Sequence, residues 1–402
     1  MLLQGVRIIS FCHFLQGPAA GQYLADMGAD VIKVEPVGGA YERHWSGADV
    51  FIDGVSGFYL AANRNKRSIG LDLKHEDGRA VARRLIASAD VVMENFRPGV
   101  FERLGFGWDA LRALKPDIIY ASASGYGSSG PLADKPGQDL MVQARSGLMS
   151  VNGDAERAPT AVGLAPCDQH GAALLALGIA GALVRKAREG VGTRVEASLL
   201  NAGIDLQTEG VVAWLNGGMG PENLRRQENL ATWFHQAPYG VYGTADGKFV
   251  AISLNSAEAM AKALDDDAGL RGLAGVDLYV EKNRCAAVVA TAVKKYTADD
   301  LGARFDAAKL WWAPVMNYSE VAVDPQVIHN RVLERVEVKG GHATLVNHPN
   351  RYDGEVPPTR VLATETGQHS REILAELGLV EAEIERLIAG GGVAASAKEV
   401  VA

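Results

Sequence analysis

Residues 163–192 read GLAPCDQHGAALLALGIAGALVRKAREGVG, and the polarity of this stretch sets the class of fold. Gly171 to Val184 carry neither a charge nor a polar side chain, with Asp168 before them and Arg185, Lys186 and Arg188 after. A run this short falls below the roughly 20 residues a bilayer span needs, so it reads as the core helix of a globular protein. Pro166 and the small residues around it put the helix start close to Asp168. An acidic side chain there accepts bonds from the unpaired first-turn amides and is favoured by the helix dipole, so the carboxylate is expected to stay ionised. Two readings follow. Asp168 is an N-cap, or it is a short carboxylate on a core helix, fed by a Gly-containing lead-in and available as a nucleophile.

A chain of 402 residues, 48% hydrophobic and 22% charged, is ordinary for a globular protein and long enough for two or three domains. The net charge of -8 argues against a general nucleic-acid binder. Cys12, Cys167 and Cys285 are odd in number and lack metal-ligand spacing. They suit a reducing, cytoplasmic setting with no zinc site and no disulfide framework. The opening MLLQGVRIISF has no basic n-region or cleavage site and reads as a first strand, with no membrane partner implied.

Around the core helix the chain alternates in β-α-β fashion. Residues 6–11 and DVIKVE at 30–35 are strands on either side of a small-residue helix, 19–27. The loop 13–18 then lies at the carboxyl end of a parallel sheet, where ligands of open α/β folds sit. It lacks G-x-G-x-x-G, which disfavours a nicotinamide dehydrogenase. Residues 37–57 form a long Gly-rich loop. NRNKRSIGLDLK at 63–74 clusters Arg64, Lys66, Arg67 and Lys74 around a strand, either as a solvated edge or as a phosphate-reading group. A strand at 90–94 runs into ENFRPG, and another at 117–122 into the glycine-rich loop 123–137. Beyond residue 206 the character changes. NGGMG at 216–220 and Asp324-Pro325 mark two crossings, giving divisions at 1–206, 207–325 and 326–402, and the last fourteen residues read as loose.

GADVIKVE at 28–35, NKRSIGLDLK at 65–74, ENFRPG at 94–99, GYG.SGP at 125–131, the Asp168 helix with its GTRVEASLL continuation, and APYGVY...DG at 237–247 together resemble the family III CoA-transferases. That family includes formyl-CoA and carnitine CoA-transferases and the α-methylacyl-CoA racemases. The resemblance implies an α/β fold with a Rossmann-like large domain built from both chain ends, a smaller α+β domain, and an interlocked homodimer. It implies acyl-CoA and a carboxylic acid as substrates, with no permanently bound cofactor. Asp168 matches the aspartate that attacks the thioester, and Asp139 an acidic residue close to it. Coenzyme A contacts carry over to Phe14, Leu15, Gln16, Lys66, Asn95, Phe96, Arg103 and Lys135. Pro36 stands where the transferases have a basic residue, so a phosphate contact there is lost or moves to Arg43 or Arg64. Trp45 matches an active-site tryptophan and becomes a wall of the acyl pocket, and NGGMG is a tentative counterpart of a glycine loop covering the site.

The racemases use a His-Asp pair at a G-H-D motif, which here reads Gly137-Gln138-Asp139. Gln138 cannot carry a proton near neutral pH, which favours transfer over racemisation. Among the histidines, His13 on the ligand-side loop is the one best placed to act as a base. Cys167 has no adjacent cation at helical spacing to activate it. Arg43, Arg145, Arg225 and Arg226 are candidates to pair a dicarboxylate.

Overall fold

Strand-forming runs rich in Val and Ile, separated by helices, assemble a seven-stranded sheet in the computed structural model, which describes residues 1–338 and 341–396. Its strands are β1 (Arg7–Phe11), β2 (Asp30–Glu35), β3 (Lys66–Leu71), β4 (Val91–Glu94), β5 (Ile119–Ser124), β6 (Arg194–Ser198) and β7 (Val393–Ala394). Their order is β7-β3-β2-β1-β4-β5-β6. All neighbours are parallel except β7, which pairs antiparallel with β3, Val393 opposite Leu71. The tail read as loose therefore contributes an edge strand through Val393, whose side chain is buried; residues 397–402 lie outside those described.

Successive strand residues point to opposite faces, so Ile8 and Ile9 enter different cores. One face is covered by helices Glu76–Ala87, Ser370–Glu376 and Glu381–Ala389. Against the other lie Gln16–Asp26 and Pro166–Glu189, the latter through Ala172, Leu175, Ala176 and Ile179. The Pro166–Glu189 helix has 24 residues, longer than its uncharged run, and meets the length and composition of a membrane span. The burial of that stripe in the core marks it as a packed helix of the sheet layer.

The chain runs from β1 outward through β2 to β3, then returns to β4 on the other side of β1. That reversal makes a topological switch point between the carboxyl ends of β1 and β4, the crevice where open α/β sheets bind ligands.

Two compact units divide the chain. The first holds residues 1–142, 165–206 and 325–402, including the large sheet. The second holds 143–164 and 207–324, with an antiparallel sheet of Gly240–Gly243, Phe249–Ile252 and Trp312–Pro314 packed on helices that include Lys282–Val293 and Ala298–Ala307. Residues 143–164, read from sequence with the first stretch, group with the second. Arg226 explains this, donating to the Val151 carbonyl while its own carbonyl accepts from Ala155 N–H. NGGMG also lies in this unit, after the helix Thr208–Asn216.

Candidate active site

The β1–helix loop at the switch point is fastened from the neighbouring strand. Asn95, just past β4, accepts from His13 N–H at 2.7 Å and donates to His13 C=O at 2.7 Å. Its amide thus clamps one loop to the other. Past the clamp, Phe14 takes a left-handed backbone (φ 62°) that turns the chain into the helix Gln16–Asp26. The Gln16 N–H at that helix start donates to the Asp168 carboxyl.

Asp168 occupies the first turn of Pro166–Glu189, but the cap of that helix comes from elsewhere. Asp139 Oδ1, 8% exposed, accepts from both Cys167 N–H (2.8 Å) and Asp168 N–H (3.0 Å). Its segment is delivered by the 125–137 loop. Gly125 and Gly137 pinch that loop shut, since a Cβ on either would stand 2.5 Å from the other's Cα. With Asp139 satisfying the amides, the Asp168 carboxyl is not consumed by capping its own helix.

The expectation that Asp168 stays ionised is corrected by its surroundings. Burial, then the charge of Asp139, push its pKa up to about 7, and the Gln16 N–H offsets only part of this. The helix-end dipole is outweighed because little water reaches the carboxyl. Cys167 is driven the same way, to about 12, by burial and the two aspartates, so its thiol stays protonated. Burial, reinforced by Lys33, lowers His13 to about 4, and it is a neutral imidazole packed 5.5 Å from Phe96. Gln138 is exposed.

The residues expected to hold coenzyme A divide. Phe14 is 49% exposed, Arg103 and Lys135 are exposed on the ENFRPG and glycine-loop sides, and neither cation joins an ion pair among the described residues. Phe96 stacks on Phe101 at 5.9 Å and Leu15 packs into the core. Gln16 is 4% exposed, and its Nε2 meets no acceptor among the described residues. Lys66 does not fit a phosphate contact. It is 1% exposed, and its Nζ donates to the carbonyls of Pro18 (2.7 Å) and Ala62 (2.6 Å) and to Asn63 Oδ1 (2.8 Å). Arg64 is sealed against Asp26, and Arg43 binds both oxygens of Glu35 at 2.6 and 2.7 Å. The basic cluster at 63–67 and Arg43 therefore hold the fold together, and neither Arg43 nor Arg64 replaces the contact missing at Pro36. Arg226, donating to the Leu230 carbonyl, is likewise spent.

A test follows for that correction. Lys66→Met is expected to cost about 1–3 kcal/mol of stability by orphaning three buried acceptors, yet to leave coenzyme A affinity within about twofold. Lys135→Ala or Arg103→Ala should weaken it by roughly threefold to tenfold, with a shallower salt dependence. Calorimetric titration of coenzyme A at two salt concentrations separates the two patterns.

The sequence reading passed over part of the ENFRPG motif. Glu94 and Arg97 line a cavity of about 260 Å³ beside β4, β5 and β6, together with Tyr120, Ser124 and Asn201. Tyr120 O–H and Phe96 N–H donate to Glu94 at 3.0 and 2.8 Å, and burial still raises its pKa to about 7. The signal was an acidic residue ending an otherwise apolar strand.

A parallel-dominated α/β enzyme with a shielded carboxylate at its switch point, and free cations beside it, is the class this geometry defines. The comparisons narrow it: the pattern of CoA-transferase family III matches residues 3–370, and the chain belongs to that family. It is a CoA-transferase. It is 33% identical to an acyl-CoA transferase of Fusarium pseudograminearum over 94% of this chain and 85% of the relative. A succinate–glutarate CoA-transferase of Agrobacterium fabrum is 32% identical, over 94% and 96%. A CaiB/BaiF family protein of Brucella suis superposes with a TM-score of 0.80 at 29% identity, covering 93% of this chain and 98% of that one.

Proposed function

We propose that the enzyme moves coenzyme A from an acyl-CoA to a carboxylic acid with Asp168 as the nucleophile. The observation that carries this is the Asp168 carboxyl at the switch point, relieved of helix capping by Asp139 and met by Gln16 N–H. An Asp168 oxygen attacks the thioester carbon, the C–S bond breaks, and a mixed anhydride forms as thiolate leaves. The thiolate then attacks the aspartyl carbonyl, releasing the first acid as carboxylate and leaving an aspartyl-CoA thioester. The acceptor carboxylate attacks that thioester and expels thiolate, giving a second anhydride. Attack of the thiolate on the acceptor's carbonyl yields the new acyl-CoA and restores Asp168.

Thiolate is a good leaving group, so the nucleophile requires position and charge more than basicity. Each tetrahedral intermediate requires a donor for its oxyanion, and the unpartnered Gln16 amide fits that need. Asp139 is a positioning residue, holding the amides at 167 and 168. Arg103 and Lys135 suit the phosphates of coenzyme A. Racemisation gains no base from exposed Gln138 or from a buried, neutral His13.

The large-sheet unit is then the coenzyme A domain and the other the small domain. A homodimer is supported by Leu164, Leu177 and Val184, which are exposed on or beside the Asp168 helix. A cytoplasmic setting is supported by three free, buried cysteines.

Incubation with acetyl-CoA followed by hydroxylamine should leave a hydroxamate on the peptide containing Asp168, read by mass spectrometry. Active enzyme that exchanges coenzyme A yet shows no modification at Asp168 would refute the route.

A further inference from the structure

An aromatic row runs along one side of the site. Phe14, Tyr41 and Trp45 are 49, 59 and 43% exposed, unusual for three rings placed so near one another. Phe14 and Tyr41 have ring centroids 5.7 Å apart, Tyr41 and Trp45 stack at 6.4 Å and 20°, and Trp45 meets Phe58 edge-on at 4.9 Å. Phe58 in turn walls a cavity of about 330 Å³ with Val50, Ile52, Leu60 and Leu345. The row starts two residues before Gln16, whose N–H holds Asp168, so it begins at the reacting carboxyl and leads away from it.

Strand order decides which half of a thioester lies on this row. The loop after β1 touches Asp168. The loops after β4 and β5, on one side of β1, carry exposed Arg97, Arg103 and Lys135, which form no ion pair among the described residues. The loop after β2, on the other side, carries Tyr41 and Trp45. Cations on that second side are neutralised inside the protein. Lys33 binds Glu42 at 2.9 Å, Arg43 binds Glu35, and Arg64 binds Asp26 at 2.6 Å. Phosphates therefore go toward β4 and β5, and the acyl group of a thioester poised at Asp168 goes toward β2. A second carboxylate on that acyl group would enter an aromatic surface whose nearby cations are already paired, an unfavourable desolvation.

We propose that the Phe14–Tyr41–Trp45–Phe58 row is the acyl subsite, and that it selects monocarboxylic acids bearing an aryl or extended apolar substituent over short dicarboxylic acids. This rests on the transferase reading of Asp168 and sets the chain apart from the succinate–glutarate enzyme it resembles. Aromatic rings reward flat or apolar groups by area and by ring-on-ring geometry.

The test uses the full chain with 13C-labelled acetate as the common acceptor and 3-phenylpropanoyl-CoA, succinyl-CoA or acetyl-CoA as donor, labelled acetyl-CoA being read by mass spectrometry. The expected kcat/KM for 3-phenylpropanoyl-CoA exceeds that for succinyl-CoA by about tenfold or more. Tyr41→Ala and Trp45→Ala should each lower the phenylpropanoyl-to-acetyl ratio by roughly three- to tenfold, and Trp45→Phe should recover most of it. Circular dichroism and melting curves confirm that the variants fold, and the ratio within one protein preparation cancels losses of active enzyme. Preference for succinyl-CoA, or a ratio unmoved in both alanine variants, overturns the subsite. Failure of every donor to label acetyl-CoA overturns the transferase reading and the subsite with it.

Discussion

Replacing Asp168 with Asn is expected to lower coenzyme A exchange by about 10⁴-fold or more while making the protein more stable at pH 8. The amide has nearly the shape of the carboxyl and still offers Gln16 N–H an acceptor, so the loss belongs to the missing nucleophile; removing such a group from a concerted site carries losses of this order. The stability gain comes from the same environment. A carboxyl whose pKa rises from 3.8 to about 7 is disfavoured as an anion in the folded state. Folding takes up a proton between those values, so the contribution to stability is full below about pH 4 and is lost as pH rises through 7. Asn carries no charge to shield, and the variant should be favoured by about 1–3 kcal/mol at pH 8, allowing for partial exposure. That margin should narrow as the pH falls and close near pH 4. In the parent enzyme the rate should climb with an apparent pKa of about 7, since only the anion attacks. Thermal melts across this range and a pH–rate profile check both halves. Retained exchange in the Asn variant, or a rate flat from pH 5.5 to 8.5, would overturn the assignment.

The opposed effects on rate and stability show why the sequence displayed the nucleophile but not its state. Pro166, the apolar run and its basic end were enough to place Asp168 on a core helix. Propensity at a helix start favours an ionised acid, and that inference assumes solvent. The cap that displaces Asp168 from this task comes from Asp139, 29 residues earlier, through a loop pinched at Gly125 and Gly137. No local pattern encodes such a contact. The basic cluster at 63–67 went astray for the same reason. Charges in a strand read as solvated or phosphate-binding, whereas Asn65 and Arg64 bond to residues 346, 358, 360 and 361 near the other end of the chain. In contrast, the parallel sheet was legible because its strands are buried on both faces and read as apolar runs. Even there, Lys33 and Glu35 in DVIKVE are buried, each 1% exposed, and their partners come from a loop that gave no periodic signal.

Those partners set the second large effect. Arg43→Ala is expected to destabilise the protein by about 3–5 kcal/mol, the range for leaving one member of a buried pair uncompensated. Nε and Nη2 of Arg43 grip both Glu35 oxygens, Nη2 also donates to Tyr59 O–H at 2.6 Å, and Nη1 donates to the Ala363 and Thr364 carbonyls at 3.0 and 2.9 Å. Its guanidinium carbon lies 3.9 Å above the Tyr59 ring. Without Arg43, Glu35 keeps the Ser68 hydroxyl at 2.6 Å as its closest donor. Burial pushes the Glu35 carboxyl upward, but the Arg43 bonds and the charges of Lys33 and Arg43 hold it below the usual carboxylate range. Its stabilising share is therefore present above the ordinary glutamate pKa and lost as pH falls below it. The penalty of Arg43→Ala should accordingly be largest at neutral pH and shrink in acid, where the freed carboxyl takes a proton. Arg43→Lys should rescue little, because an ammonium cannot reproduce the fork or lie flat on the ring. Glu35→Gln combined with Arg43→Met should recover part of the loss by removing both charges. Since Tyr41 and Trp45 flank Arg43 in one turn, the single variant should also erode discrimination among acyl groups before it unfolds. Denaturant unfolding at pH 7 and pH 4 decides the matter: a loss below 1 kcal/mol, or one independent of pH, would mean that the loop is held by something other than this pair.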